Sequence, residues 1–306
     1  MKKTTIALLT AAAMGATSVA VAESTGPDFS GRVDIRFTDV DEITDGGEIT
    51  NSGELDATNA SSKLAVSGST DELVGGMSAD YYARVALVES GAADVDYAYT
   101  GITGDFGRVQ AGIDDDLVYK FVGGKTDLYR GVNPVNAAEY STGYGFGQEA
   151  SLQYHLGVEN FTFAAYADTG EDAAELSTGI DRTQFGVHAN VGPLDLGLVY
   201  ADRDIEDYDA EVFVGASLDM GVASLAATFA EDDSNNNPYH VALQAPLTSI
   251  LTGTLGYGDN DQSGADELTD VTAQIRANLG GGVEINTAYR DGDSGDGFVV
   301  GARYSF

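Results

Sequence analysis

Residues 296–306, Asp296-Gly-Phe-Val-Val-Gly-Ala-Arg-Tyr-Ser-Phe306, alternate apolar side chains with small or polar ones and end on an aromatic residue. Alternate side chains of an extended chain lie on opposite faces, so this stretch is a strand with one apolar face. Chain termini of soluble domains are usually polar and frayed. A membrane barrel instead pairs its last strand with its first, so that no backbone edge faces lipid. The pattern favours a transmembrane β-barrel over its alternative, the edge strand of a soluble sandwich.

The opposite end of the chain has the features of a secretory signal peptide, which we expect to occupy residues 1–22. Two lysines precede a short apolar run, and small residues ending at Ala22 offer a cleavage site before Glu23. The run is shorter than the roughly 20 apolar residues that a membrane helix needs. Residues 23–306 are therefore predicted to be exported and to enter a membrane only as a barrel.

The composition excludes several classes of protein. There is no cysteine, so a disulfide framework is ruled out. The 49 acidic and 15 basic residues make nucleic acid an implausible partner. The 39 glycines suit a curved wall, and the 16 tyrosines suit the interfaces between lipid and water.

Between residues 29 and 306, sixteen segments alternate in hydrophobicity or have strand composition. Their connections are alternately short and long, and the long ones are acidic, as in barrels with tight periplasmic turns and larger outer loops. The sequence predicts one all-β domain at 23–306, a transmembrane antiparallel β-barrel of 16 strands.

Alternation also assigns each strand a lipid face and a lumen face. In the first strand Val33, Ile35 and Phe37 face lipid, because a charge facing lipid near the midplane costs about 2–4 kcal/mol. The lumen is therefore predicted to be polar. Once the last strand pairs with the first, the lumen bases form a basic arc of Arg276, Arg290, Arg303, Arg32, Arg36, Lys63 and Arg84. The alternative is that each base simply pairs with a nearby lumen acid.

The longest connection runs from Gly112 to about Phe146, and loops of this length in a compact fold are usually functional. Together with the signal peptide, the Gly104-Asp-Phe-Gly107 segment and the terminal Phe306, it resembles a Gram-negative general diffusion porin. The resemblance covers essentially the whole mature chain. It implies a passive pore in the bacterial outer membrane, with the long third loop folded into the lumen.

The resemblance also implies site residues and partners. The acids of the third loop, Asp114, Asp115, Asp116 and Asp127, would face the wall bases Arg32, Arg36, Lys63 and Arg84 across a constriction. The alternating C-terminal strand, with Tyr304 and Phe306, would be read by the barrel assembly machinery. A homotrimer, in contact with outer-membrane lipid and lipopolysaccharide, is also implied.

Two features depart from the family pattern. Gln110 stands where related porins often carry a further arginine. Lys120, Lys125 and Arg130 lie among the loop acids, which leaves the direction of a transverse field open.

An enzymatic barrel is not expected. The only side chains suited to act as bases at neutral pH are His155, His188 and His240. None has an evident serine or aspartate partner at a readable spacing, so we interpret them as hydrogen-bonded wall residues.

A calcium loop is the one candidate metal site, and no other cofactor is expected. The acid-rich stretch 259–270 places polar residues near the ligand positions of a calcium loop: Asp259, Asp261, Ser263, Glu267 and Asp270. Aspartate replaces the final bidentate glutamate and no helices flank the stretch. A solvated acidic loop is the favoured interpretation.

The sequence thus predicts a passive diffusion pore for small hydrophilic solutes and ions, weakly cation-preferring because its outer loops are acidic. The alternatives are a porin specific for sugars or anions, and a non-conducting barrel that serves as an anchor or adhesin. Aromatic residues along the lumen would favour a specific porin, and only Tyr82, Tyr166 and Phe213 have a plausible phase.

Overall fold

The structure, a computed structural model, describes residues 24–40, 42–43, 49–50, 56–58, 62–73, 75–87, 93–130, 150–168, 180, 182–203, 210–231, 237–260, 268–293 and 295–306. The predicted signal peptide lies outside the described residues. No helix within these ranges is long and apolar enough to cross a membrane.

Sixteen long strands of the described chain form one antiparallel wall. They are β1 (Ser24–Val40), β2 (Lys63–Leu73), β3 (Met77–Leu87), β4 (Ala93–Gly104), β5 (Gly107–Ile113), β6 (Ala150–Val158), β7 (Phe161–Asp168), β8 (Arg182–Val191), β9 (Leu194–Arg203), β10 (Glu211–Asp219), β11 (Ser224–Glu231), β12 (Tyr239–Pro246), β13 (Leu251–Asn260), β14 (Leu268–Gly280), β15 (Val283–Gly292) and β16 (Gly297–Ser305). The short strand Asp56–Thr58 also pairs with β1, and Glu42–Ile43 pairs with Ile49–Thr50. One helix, α1 (Leu117–Phe121), and a 3-10 turn (Gly123–Lys125) follow β5.

The wall closes on itself because β1 pairs with both β2 and β16. Arg32 is opposite Lys63 on one side and Ser305 on the other. At the seam, the Gly31 and Phe306 backbones exchange two hydrogen bonds of 2.9 Å each. A Cβ at Gly31 would lie only 2.7 Å from the Phe306 ring, so a side chain at this position would displace that exposed ring. The predicted closed barrel of sixteen strands is confirmed.

The two faces of the wall follow the predicted alternation. Val33, Ile35 and Phe37 are 45–50% exposed on the outside of the barrel, whereas Asp34 between them is only 1% exposed. The same holds on β14, where Ile275 points outward. Since lipid covers the outer surface of a membrane barrel, these exposed apolar residues lie in their preferred environment.

The seam between Gly31 and Phe306 generates a prediction about assembly. Deleting Phe306 removes two backbone hydrogen bonds and the last outward ring, so the barrel should close poorly. We expect a large fall in the amount of folded barrel in the outer membrane of cells. Molecules that do fold should keep a nearly normal conductance, because Phe306 does not face the lumen.

The measurement compares outer-membrane levels by heat-modified gel mobility with single-channel conductance in planar bilayers. Phe306→Tyr, which keeps the ring and the backbone, is the matched control. Normal levels of the truncated chain in the outer membrane would contradict the proposed role of the terminal residue.

Candidate pore constriction

The chain after β5 turns into the lumen and forms loop 3, described here over residues 114–130. Asp116 caps α1: its carboxylate accepts a 2.8 Å hydrogen bond from the Tyr119 backbone N–H. The same carboxylate accepts a 3.0 Å bond from Gln184 Nε2 on the wall. Gln184 Oε1 in turn accepts from the Leu117 N–H at 2.8 Å. Asp116 is fully buried between helix and wall, so it fastens loop 3 and does not line the open pore.

An apolar contact holds α1 against the wall. Leu117, Val118 and Val122 are fully buried, and Phe121 is nearly so. They pack with a cluster on strands β7 to β11: Ala164, Tyr166, Val199, Ala201, Phe213 and Ala230. Two of the three aromatic residues predicted to line the lumen therefore lie beneath loop 3.

Wall glycines allow this close approach. A Cβ at Gly197 would overlap the carbonyl oxygen of Phe121, and one at Gly215 would lie 2.9 Å from the Cα of Val122. A Cβ at Gly186 would come within 2.8 Å of the Phe121 ring. We call these three glycines the glycine shelf. Loop 3 rests on it almost backbone to backbone.

The far end of the described part of loop 3 is hydrogen-bonded to β14 and β15. Gln274 on β14 donates to the Leu128 carbonyl at 3.1 Å and accepts from the Arg130 N–H at 2.7 Å. Asn286 on β15 donates to the Arg130 carbonyl at 3.2 Å. The described part of loop 3 thus runs along the inner wall from β5 to β15, and β16 and β1 to β4 face it across the lumen.

Two acids on that facing wall, the buried Asp34 and the partly buried Asp96, are each shared by two bases. Asp34 accepts from Arg36 at 3.1 and 3.2 Å and from Arg303 Nε at 2.9 Å. Asp96 accepts from Lys63 at 2.7 Å. It also accepts from Arg84 Nε at 2.9 and 3.0 Å. The wall bases therefore pair with acids and also lie close to one another.

The bases still outnumber the acids in this region. Arg32 lies within electrostatic range of Arg84, Arg130 and Arg303, and Arg130 within range of Arg276. We define the basic wall as Arg32, Arg36, Lys63, Arg84, Arg276 and Arg303, with the three acids Asp34, Asp96 and Glu284 among them. Arg130 of loop 3 lies against it, 3.6 Å from Glu284. Its formal charge is positive. Arg290 bonds to the Gly295 carbonyl at 3.0 Å, at the end of the barrel where the long connections lie.

Loop 3 joins the basic wall through Asp115. The Tyr97 hydroxyl donates to the Asp115 carboxylate, and the Arg84 guanidinium lies 3.8 Å from the centre of the Tyr97 ring. Burial raises the pKa of Asp115 to about 6; the hydrogen bond from Tyr97 opposes this shift and the neighbouring Asp114 carboxylate adds to it. The charge of Asp115 therefore changes near neutral pH.

The other two predicted loop acids have partners within loop 3. Asp114 accepts from Lys120 Nζ at 2.5 Å. Asp127 accepts from the Tyr119 hydroxyl at 2.6 Å. Lys125, a loop base, pairs instead with Asp195 on β9. Among the predicted loop acids, Asp115 is the one that the described structure links directly to the facing wall.

Asp96 and Arg108 are pore residues that the sequence analysis missed. At a bulge in the pairing of β3 with β4, Arg84 is opposite Tyr97 and Val85 is opposite Val95. Asp96 is the extra residue, so it and Tyr97 both reach the lumen and strict alternation fails.

Arg108 lies on β5 beside Gln110. Its guanidinium bonds to Asp80 at 2.8 Å and to Gln110 Oε1 at 2.8 Å. A base is thus present two residues before the position where the resemblance expected arginine. Its regular inward phase on a predicted strand could have identified it.

The candidate calcium loop does not fit the strand register. Asp259 is opposite Thr269 and Gly258 is opposite Asp270, so Asp259 and Asp270 project from opposite faces of the wall. They cannot ligate one ion together. Asp261, Ser263 and Glu267 lie outside the described residues. Among the residues that are described, no group of three histidine or acidic side chains is placed to hold a metal.

A closed sixteen-stranded barrel with a loop folded into a charged lumen defines the class of outer-membrane diffusion channels. A family sequence profile described as Gram-negative porin matches residues 8–297 of this chain. The chain therefore belongs to the Gram-negative porin family, whose members are non-enzymatic channels of the outer membrane. No curated protein sequence matches it.

Solved porin structures share the fold at low sequence identity. The anion-selective porin from Comamonas acidovorans is 19% identical, with a TM-score of 0.71 over 93% of this chain and 100% of that one. The trimer form of OmpT from Vibrio cholerae is 16% identical, with a TM-score of 0.71 over 92% and 99%. Salmonella typhi OmpF, solved with daunomycin, is 14% identical, with a TM-score of 0.71 over 92% and 97%.

The glycine shelf predicts that pore width depends on wall side chains that touch loop 3. Gly197→Ala inserts a methyl group into the Phe121 carbonyl, so the loop must move away from the wall and into the lumen. We expect lower single-channel conductance and a stability loss of about 1–3 kcal/mol from overpacking.

Gly157→Ala on β6 is the matched control, because a Cβ there meets no atom within 4 Å. Planar-bilayer conductance and urea unfolding of the purified variants are the measurements. Equal conductance of the two variants would show that loop 3 does not depend on the shelf.

The position of Asp115 predicts pH-dependent ion selectivity. As the pH falls from about 7 through its pKa of about 6, the carboxyl gains a proton and the lumen loses a negative charge. Cation preference should therefore weaken over this range. Reversal potentials at fixed salt measure the effect. Asp115→Asn should show the weakened preference already at pH 7 and lose this step; an unaltered step in the variant would assign the titration to another group.

Proposed function

We propose that this porin passes small hydrophilic solutes and ions by diffusion and weakly prefers cations in dilute salt. The observation that carries the proposal is a separation of charge along the barrel axis. The connections at the end opposite the tight turns, residues 41–62, 88–92, 131–149, 169–181, 204–210, 232–238, 261–267 and 293–296, contain acids but no lysine or arginine. Long connections of such barrels face the outside, so the outer mouth should attract cations.

The basic wall opposes this preference at close range. Exposed charges are screened over about 10 Å at 0.1 M salt and about 3 Å at 1 M, so the field of the mouth fades as salt rises. At the constriction the basic wall is nearer to a passing ion than the mouth is, so salt screens its field less. Cation preference should therefore decline with salt concentration.

An anion-selective pore is the second candidate, and the positive formal charge of the basic wall favours it. The Comamonas porin of similar fold is described as anion-selective. A sugar-specific pore has less support, because Tyr166 and Phe213 are covered by loop 3.

Porins form trimers. We infer that this chain also assembles as a homotrimer in the outer membrane, in contact with lipid and lipopolysaccharide, after removal of residues 1–22 by signal peptidase. Cross-linking and the intact mass of the protein isolated from outer membranes test both inferences.

Reconstitution in planar bilayers tests the proposed function. With tenfold salt gradients, the reversal potential should indicate cation preference when the dilute side is about 0.01 M and little preference when it is about 0.3 M. Anion preference in dilute salt would favour the second candidate. Block by a single solute class would indicate a specific porin, and absence of conductance steps would indicate an anchor.

The contribution of the basic wall is measured with Arg36→Ala combined with Arg84→Ala. Removing these two charges leaves the Asp34 and Asp96 carboxylates with one base each, so the reversal potential should shift toward cations. Arg36→Lys with Arg84→Lys keeps both charges and is the matched control. If the alanine pair leaves the reversal potential unchanged, the wall does not set selectivity.

A further inference from the structure

All three histidines of the chain contact aromatic side chains of loop 3. His188 stacks on Phe121 with ring centroids 5.4 Å apart, and His155 meets the edge of the same ring at 6.3 Å. His240 stacks on Tyr129 at 5.9 Å with an interplanar angle of 27°. Histidine is the side chain whose charge ordinarily changes near pH 6.5, so the seat of loop 3 contains titratable groups at each aromatic anchor.

His188 lies beside a carboxylate of the wall. Its Nε2 lies 3.0 Å from Asp195 Oδ1, and Lys125 of loop 3 shares this carboxylate. Its contact with loop 3 is therefore accompanied by an ion pair between Lys125 and the same wall carboxylate.

His155 lies beside a neutral side chain. Its Nε2 lies 3.2 Å from Gln153 Oε1, and the groups that act on it are the bases Lys120 and Arg108 and the acid Asp114.

His240 differs from the other two histidines in its burial and its hydrogen bonding. It is 1% exposed, and neither ring nitrogen has a hydrogen-bond partner among the described residues. The packed elements present Tyr129 from loop 3, Thr228 from β11, and Gly256 and Gly258 from β13. No charged group of the described chain acts on the ring.

We propose that His240 is a positioning residue for loop 3, and that protonation of His240 releases the Tyr129 segment from the wall. A buried imidazolium without an acceptor is costly, and the cost disappears when water reaches the ring. Tyr129 covers the ring, so water enters only when that segment moves. The Tyr129 hydroxyl and Thr272 Oγ1 are also buried without partners in the described structure, and the same movement would hydrate them. The inference rests on the proposed pore function in one respect, that loop 3 sets the width of the path.

The test uses a reporter thiol, because the chain has no cysteine of its own. Thr126 is fully buried, with Oγ1 3.4 Å from Thr228 Oγ1 between loop and wall. Thr126→Cys changes the side chain little and should react with a maleimide only when this part of loop 3 leaves the wall. The labelling rate is measured from pH 7.5 to 4.5 on the folded protein in detergent or lipid vesicles.

The same reporter is then placed beside His240→Phe, which keeps a ring under Tyr129 but cannot take a proton. Dividing the two rates at each pH cancels the pH dependence of the thiol itself. The ratio should rise about tenfold per pH unit below the ordinary histidine pKa, because one proton is coupled to release. His240→Gln, also uncharged, serves as a second reference if the phenylalanine chain folds poorly.

His188→Phe is the matched control: with His240 intact, the acid-induced rise should persist. A ratio that stays constant with pH against both His240 variants would overturn the proposal. Conductance of the His240 protein at pH 7 is recorded in parallel. If the protein does not conduct but the ratio of labelling rates rises in acid, the pore function is rejected and the role of His240 stands. If the protein conducts but the ratio stays constant with pH, the pore function stands and the role of His240 is rejected.

Discussion

The need to hydrogen-bond every backbone amide in lipid is the constraint on which the rest of the structure depends. Closure between Gly31 and Phe306 satisfies it by joining β1 to β16, which leaves no free strand edge in the wall. Closure also gives the wall an inward and an outward face, to which successive side chains alternate except at the bulge in β4. The charged lumen, the apolar outer surface and the space that loop 3 enters all follow from this one condition.

Charge in this porin is segregated by location. The lysines and arginines beyond residue 23 all lie on wall strands or in loop 3. The charged residues of the other long connections are all acidic. Inside, Asp34 and Asp96 are each held by two bases, an arrangement that satisfies the carboxylates and still leaves positive charge on the wall. A permeating ion therefore meets fields of opposite sign in succession, and the two differ in how strongly salt screens them.

Properties with a period of two could be predicted from the sequence, and properties set by loop-to-wall contact could not. Alternation predicted the sixteen strands and their two faces. It failed at Asp96, because a bulge adds one residue to β4. It also could not show that Asp116 caps a helix, or that Tyr166 and Phe213 lie beneath loop 3, since these depend on where residues far apart in sequence meet. Sequence spacing also could not show that Asp259 and Asp270 of the candidate calcium loop lie on opposite faces of the wall.

The glycine shelf makes the bore of the channel a joint property of two surfaces. Gly186, Gly197 and Gly215 have no side chains, and loop 3 occupies the space that side chains would fill there. The opening of the channel therefore depends on the combined volume of the wall and loop side chains at this contact. A homologue that regained side chains at these three positions would have to lose bulk from its loop to keep the same opening. The sizes of residues on β8, β9 and β10 should therefore covary with those of loop 3, although the two segments are far apart in the sequence.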